Sequence, residues 1–196
     1  MKVVRIILLA LSLVPMNLLA DDLLNQKGDY VIDKKGMHAF IQFKISHLGF
    51  SWLWGRFNDF DGEFTYDKQN PAASKISVTI NTASIDSNHA ERDKHLRGED
   101  FLDVEKYPQA KFVSTSFSMD REGNGELKGD FTLHGVTKPI TIAVKHIGEG
   151  KDPWGGYRVG FEGTTRIALA DYDITKYLGP HSKELDLFFV IEGVRK

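Results

Sequence analysis

Apolar residues recur at every second position along most of this chain. From His38 to Leu48, one face carries Ala39, Ile41, Phe43, Ile45 and His47, and the other carries Gln42, Lys44 and Ser46, with Phe40 the apolar exception. The same period governs Phe60, Gly62, Phe64 and Tyr66, then Ile76, Val78 and Ile80, then Phe131 and Leu133. It returns in Ile140, Ile142, Val144 and His146, in Tyr157, Val159, Phe161, Thr165, Ile167 and Leu169, and in Leu185, Leu187, Phe189 and Ile191. Successive side chains of a strand point to opposite faces, so this alternation predicts antiparallel sheet with one face on a core and one in water. Turn-forming strings separate the runs: Asn70-Pro71, Asn124-Gly125, His134-Gly135, Pro153-Trp154-Gly155-Gly156 and Gly179-Pro180. The gaps are short, so neighbours in sequence are expected to be hairpin neighbours in space. About eight strands are predicted, in an all-β up-and-down barrel or sandwich. No repeat or low-complexity linker divides them, which predicts one domain.

One segment departs from period two. Asn88 to Gly98 reads as a short helix, with Asn88 as N-cap, Glu91 as its reciprocal partner and Gly98 at the C-terminal end. It is expected to lie across the barrel. By spacing, Glu91–His95 and Asp93–Arg97 are i,i+4 pairs on a solvated face. The alternative reading brings Arg92, His95 and Arg97 to a ligand head group at the barrel mouth.

The first residues have a different character. Lys2 and Arg5 precede an apolar run from Ile6 to Val14, and Leu18-Leu19-Ala20 precedes Asp21-Asp22. That order predicts a secretory signal peptide over 1–20 and a mature domain over 21–196. Leu18 is larger than cleavage sites prefer, which leaves an uncleaved anchor as the alternative. No Cys follows the run, so a lipoprotein anchor is excluded. Zero Cys also removes disulfides, thiolate metal sites and Cys nucleophiles. The formal net charge of −2 becomes more negative once Lys2 and Arg5 are removed. Such a chain lacks the basic footprint of a nucleic-acid binder and the polybasic cluster of a protein held on anionic lipid.

Alternation alone leaves the interior open to two readings. The inward Phe, Ile, Val and Leu set could simply pack against itself, or an eight-stranded barrel could hold one small ligand. Thirteen Phe and three Trp favour a ring-lined slot without deciding the matter. Trp52 and Trp54, beside Gly49 and Gly55, read either as an aromatic portal or as a plug; Trp154 reads as a turn anchor.

Several rarer strings occur in order: Asp33-Lys34-Lys35-Gly36-Met37-His38-Ala39-Phe40, His47-Leu48-Gly49-Phe50-Ser51-Trp52-Leu53-Trp54-Gly55 and Phe57-Asn58-Asp59-Phe60-Asp61-Gly62. Asn88-His89-Ala90-Glu91-Arg92-Asp93-Lys94-His95-Leu96-Arg97, Lys106-Tyr107-Pro108-Gln109-Ala110, Leu133-His134-Gly135-Val136-Thr137-Lys138-Pro139 and Asp152-Pro153-Trp154-Gly155-Gly156 complete the set. Over roughly residues 29 to 196 the chain resembles the YceI family. The resemblance implies an extended lipocalin-like antiparallel β-barrel in the periplasm that binds a polyisoprenoid, an isoprenoid quinone or a similar amphiphile. It implies no cofactor besides that lipid, and it allows transient membrane contact.

The residues expected to meet the ligand are then Ile41, Phe43, Ile45, His47, Trp52, Phe60, Phe64, Val78, Ile80, Arg92, His95, Leu96, Phe131, Ile142, Val144, His146, Phe161, Ile167, Leu187 and Phe189. His47 and His146 fall on the inward face, either as hydrogen-bonded core histidines or as polar handles for a head group. His38 falls on the opposite face and is expected at the surface. His89 and His95 are six apart, unlike an i,i+4 metal pair. No catalytic motif is present, and the carboxylates fall mainly on outward faces, so a binding protein is expected rather than an enzyme. An enzyme acting on isoprenoid lipids and a ligand-free, stress-related interaction module are the alternatives. Exposed strand edges leave a homodimer open.

Overall fold

The computed structural model describes residues 27–196, and the expected signal peptide lies outside the described residues. Eleven strands form one antiparallel sheet: β1 (Lys27–Ile32), β2 (Phe40–His47), β3 (Ser51–Phe57), β4 (Phe60–Asp67), β5 (Lys75–Asn81), β6 (Ile85–Asp86), β7 (Gln109–Met119), β8 (Asn124–Leu133), β9 (Val136–Lys151), β10 (Tyr157–Ala168) and β11 (Glu184–Arg195). The hydrogen-bonded order β1-β4-β5-β7-β8-β9-β10-β11 closes on itself because β11 pairs back onto β1. The result is a closed eight-stranded barrel.

The surplus strands arise because the first three staves of the barrel are each broken once. Strand β11 pairs with β2 through Leu185–Val190 and with β1 through Gly193–Arg195, so β1 and β2 are two halves of one stave. The same reasoning joins β3 to β4 and β5 to β6, since β2 pairs with β3, β1 with β4, β4 with β5 and β3 with β6. Polar side chains fasten the breaks. Asp59 N–H donates to Ser84 Oγ at 3.0 Å and Asn58 N–H to Ser84 O at 3.1 Å. At the β1–β2 break, Arg158 on the outer wall is shared by three carboxylates: Asp33, Glu192 and, at 2.8 Å through Nε, Asp152. Burial alone would raise the Asp33 carboxyl, but hydrogen bonds from Arg158, Gly36 N–H and His38 hold it below its ordinary value. Trp154 lies over the Arg158 guanidinium at 5.4 Å, so it anchors the β9–β10 turn from outside. His38 joins Asp33 at 3.1 Å and is half exposed.

Inside the ring, several aromatic rings pack close against glycines, where a side chain would collide. A Cβ on Gly193 would stand 2.3 Å from the Phe64 ring, one on Gly55 2.3 Å from the Phe43 ring, and one on Gly129 2.5 Å from the Phe112 ring. Glycine weakens a strand, and here its cost is offset by bringing a ring against the wall. The rings therefore coat the lumen instead of filling it.

Among the described residues the one α-helix, α1 (Ala90–Arg97), follows β6. Its start differs from the sequence expectation. His89 is the N-cap, its Nδ1 accepting from Arg92 N–H at 3.3 Å, while Asn88 adopts a left-handed φ of 63° and donates its N–H to Asp86. Asp86 thus captures Asn88 before it can cap. Gly98 ends the helix at φ −74°, in extended rather than left-handed conformation.

Candidate ligand cavity

Two adjoining hollows occupy the barrel. The larger, about 610 Å³, lies at the end bearing the β2–β3 hairpin, α1 and the 169–182 segment. That volume falls within the roughly 300–1,000 Å³ typical of small-molecule sites. The smaller, about 110 Å³, lies deeper, and its walls include Phe64, Phe117, Leu127, Ile142 and Phe161. Ile41, Ile80, Phe131 and Phe189 border both, forming a waist of four large side chains from β2, β5, β8 and β11.

The local sequence explains why the large hollow opens at one end. Strands β2 and β3 extend past the ring as a hairpin, and β6 is only two residues long. No long strand completes the wall there; α1 and the loops that follow it take its place. Arg92, His95 and Leu96 of α1 line the hollow, with Phe101 and Leu102 beyond the helix. On the other side, Ile174, Tyr177 and Leu178 come from the irregular segment between β10 and β11. Ser182 Oγ ties that segment to β2 by donating to Ser46 O at 2.6 Å. Tyr172 is buried with its ring 5.6 Å from Phe131, and burial pushes its phenol up to about 12.

Polar groups at this mouth are few, and several are already engaged. Arg92 Nε donates to Ser87 Oγ at 2.8 Å, and its Nη2 donates to Ser87 O. The buried Asp93 carboxylate accepts from Ser87 N–H at 2.8 Å. Arg97 lines neither hollow: it donates to the carbonyls of Ala83 at 2.8 Å and Ile85 at 3.0 Å. Neither expected i,i+4 ion pair is formed; Asp93 and Arg97 serve the β6–α1 junction instead. The helix is therefore a wall locked to β6, with Arg92 and His95 as its polar contribution to the rim.

The opposite end of the barrel has a polar floor. Tyr30 and Tyr66 are buried, and their hydroxyls, His146 Nε2 and Glu149 Oε2 have no hydrogen-bond partner among the described residues. Glu149 Oε1 accepts from Lys68 at 2.6 Å. Tyr66 stacks on His146 with centroids 6.1 Å apart, and Phe161 meets both edge-on or tilted, at 5.1 and 5.3 Å. Burial, reinforced by the Glu149 charge, raises both phenols; burial lowers the His146 imidazole against the opposing pull of Glu149.

Of the residues expected from sequence to meet a ligand, all but Trp52, Phe60 and His146 line one of the two hollows. His47 does so from an exposed position at the hairpin end. Trp52 and Trp54 do not plug the barrel. Leu53 and Phe57 take the inward positions of β3, so both Trp stand on the outer wall, 59% and 49% exposed, around Lys44 Nζ. Phe60 sits at the β3–β4 break, where it borders a small surface groove with Pro108 and Gln109. His146 lies in the floor, behind Tyr66 and Phe161.

Residues absent from the sequence expectation come mainly from irregular backbone: Phe101, Leu102, Ile174, Tyr177 and Leu178. Their only sequence signal is that large apolar residues interrupt stretches otherwise rich in turn formers. Asp33, His38 and Glu192 also bring ligand-type atoms within 4.8 Å of one another, but the Arg158 guanidinium already joins both carboxylates.

Comparison with known proteins places this geometry. A family model described as a YceI-like domain matches residues 30–192. A UPF0312 protein of Ectopseudomonas mendocina is 63% identical over 169 residues, covering 86% of this chain and 88% of its own. Among solved structures, Burkholderia cenocepacia BcnA superposes with a TM-score of 0.73 at 20% identity, over 82% of this chain and 98% of its own. A domain from Saccharophagus degradans, described as polyisoprenoid binding and implicated in plant cell wall breakdown, superposes with a TM-score of 0.62 at 14% identity, over 85% of this chain and 98% of its own.

Proposed function

We propose that this chain, which belongs to the YceI family, carries a single long-chain polyisoprenoid, of polyprenyl or quinone type, inside its barrel in the periplasm. The observation that carries the reading is the ring-lined hollow of about 610 Å³, apolar on nearly all sides, adjoining a deeper one across the four-residue waist. The description of a structural neighbour as a polyisoprenoid binding domain agrees with it. In this reading the protein works by binding and not by catalysis: the polar groups at the rim are few, and Arg92 is held by Ser87 rather than aimed as a general acid or base.

Energetics favour a carrier over a permanent store. Moving roughly forty carbons from water into the lumen would be worth about 30 kcal/mol at ~0.8 kcal/mol per CH₂. That exceeds the practical ceiling of ~18–21 kcal/mol for non-covalent affinity. Such a lipid resides in a membrane, already out of water, so transfer into an apolar barrel is close to balanced. Arg92 and His95 at the rim, acting on the head group, then bias the exchange.

Native mass spectrometry of protein purified from the periplasm, with mass spectrometry of its organic extract, tests the reading. A stoichiometric isoprenoid is expected. Phe43→Asp places a charge on the lumen wall over Gly55 and should abolish loading, whereas Phe43→Leu should retain it. A clean apo mass that is unchanged after prenyl lipids are added would overturn the proposal.

A further inference from the structure

The tip of the β2–β3 hairpin is poorly suited to folding alone. His47, Leu48, Gly49 and Phe50 form a tight turn closed by Phe50 N–H to His47 O at 2.9 Å, with φ of 54° at Leu48 and 83° at Gly49. The left-handed region favours Gly, Asn or Asp, and a bulky Leu there is uncommon. Yet Leu48 is half exposed, and Phe50 at the same tip is 86% exposed. A strained, solvated Leu beside a solvated Phe is costly for a hairpin whose turn would be better served by Asn-Gly.

The tip stands where the lumen opens. Leu48 lines the large hollow while also facing solvent, and Tyr177, 77% exposed, does the same from the facing segment. Gly179 brings that segment against Leu48: a Cβ there would lie 3.2 Å from Leu48 Cδ2. Apolar side chains thus reach from inside the barrel to its outer lip, with His47 and His181 as the polar groups beside them. Two residues further along β3, about 7 Å by strand rise, Trp52 lies under the Lys44 ammonium, 4.5 Å from its ring centroid. Apolar residues at the apex with a Trp and a Lys one step behind match the depth profile of a bilayer surface, where segments sink ~5–10 Å and Trp and Lys settle at head-group level.

We propose that this lip, built on Leu48, Phe50 and Tyr177 with Trp52 and Lys44 as its shoulder, docks the open end of the barrel onto a lipid bilayer. The inference rests on the lipid-carrier reading and deepens it by naming the surface through which the lipid passes. The occupant is a membrane and not a protein groove because two of these side chains, Leu48 and Tyr177, bound the lumen as well as the lip, so whatever covers the lip must also be the source of the chain that enters it.

The test separates loading from docking. Wild type and a Phe50→Ser/Trp52→Ser double variant, altered at two lip residues that line neither hollow, are loaded with a polyprenol by two routes. One is from detergent micelles; the other is from vesicles of phosphatidylethanolamine and phosphatidylglycerol carrying the polyprenol, with flotation of the protein on the same vesicles. The double variant is expected to load from detergent like wild type, but to extract from vesicles at least about tenfold more slowly and to lose flotation. Both side chains are exposed, so the double variant should melt within about 2 °C of wild type, and lost extraction cannot then be ascribed to unfolding. Extraction by the double variant at the wild-type rate overturns the docking inference while leaving the carrier reading intact. Failure of the wild type to load by either route overturns the carrier reading, and the docking inference with it.

Discussion

Ala110 offers a direct test of whether the barrel is hollow. It is 1% exposed, faces Ile80 across the β5–β7 pair and borders the large hollow. Replacing it with Leu adds three carbons on the lumen side. In a filled core that change would overpack the interior and cost about 1–3 kcal/mol. Beside an unfilled 610 Å³ space, the added carbons find room and gain at most about 2 kcal/mol from leaving water, at ~0.8 kcal/mol per CH₂. The two accounts differ in sign. At about 2–4 °C per kcal/mol for a domain of this size, delipidated Ala110→Leu should melt a few degrees above delipidated wild type. The same carbons occupy space the lipid would use, so loading measured by native mass spectrometry should fall. A variant that melts several degrees lower and loads normally would show that the space beside Ala110 is not available, and the cavity argument would fail there.

Two further outcomes follow from the walls. Removing the shared guanidinium with Arg158→Ala should cost about 3 kcal/mol near neutral pH, because it strands the buried Asp33 and Asp152 carboxylates. In the wild type these carboxyls are held below their ordinary value, so their contribution is present above the unfolded pKa and is lost as pH falls through the lower folded value. In the variant Asp33 keeps only the Gly36 N–H and His38 hydrogen bonds against burial, so its depression is weakened and the melting curves of the two proteins should converge as pH drops below about 4; a pH-independent gap would contradict the assignment. Gly193→Ala should lower stability by about 1–3 kcal/mol, since its Cβ would stand 2.3 Å from the Phe64 ring and drive it into the inner hollow. An unchanged melting temperature in a thermal scan would show that the ring does not depend on that glycine.

Legibility in the sequence followed periodicity. The inward faces of β2, β4, β5 and β9 to β11 could be read from alternation, because each side chain's face is set by its neighbour two positions away. Ring closure could not be read, since the register that joins Tyr30 to Arg195 spans nearly the whole described chain. Where backbone is irregular, period two has nothing to act on, so Phe101, Ile174 and Leu178 were invisible as lining. The Trp52 error has a different origin. Hydrophobicity suggested an interior role, while the alternation of β3 assigns Leu53 inward and Trp52 outward. Pattern was the better guide there. At the helix, Asn88 looked like the cap by residue type, but the Asp86 carboxylate claims it first.

The unfinished edge of β3 sets how the protein can move. Only Arg56 and Phe57 pair with β6, so Ser51–Gly55 is hydrogen-bonded on one side alone, to β2. Within the ring, β7 beyond Val113, β9 before Ala143 and β10 after Thr164 also pair on one side, but each of those strands is paired on both sides over other residues. Opening free energy is therefore unevenly distributed: the hairpin forms a small cooperative unit that can exchange its amides while the ring stays intact. A closed barrel that had to breach its ring to admit a chain would risk global unfolding each time. In the carrier reading the entrance lies on this singly paired hairpin, so admission and unfolding would be separate events with separate barriers, and amide exchange should be fast in Ser51–Gly55 and slow in β11, which is paired along both sides.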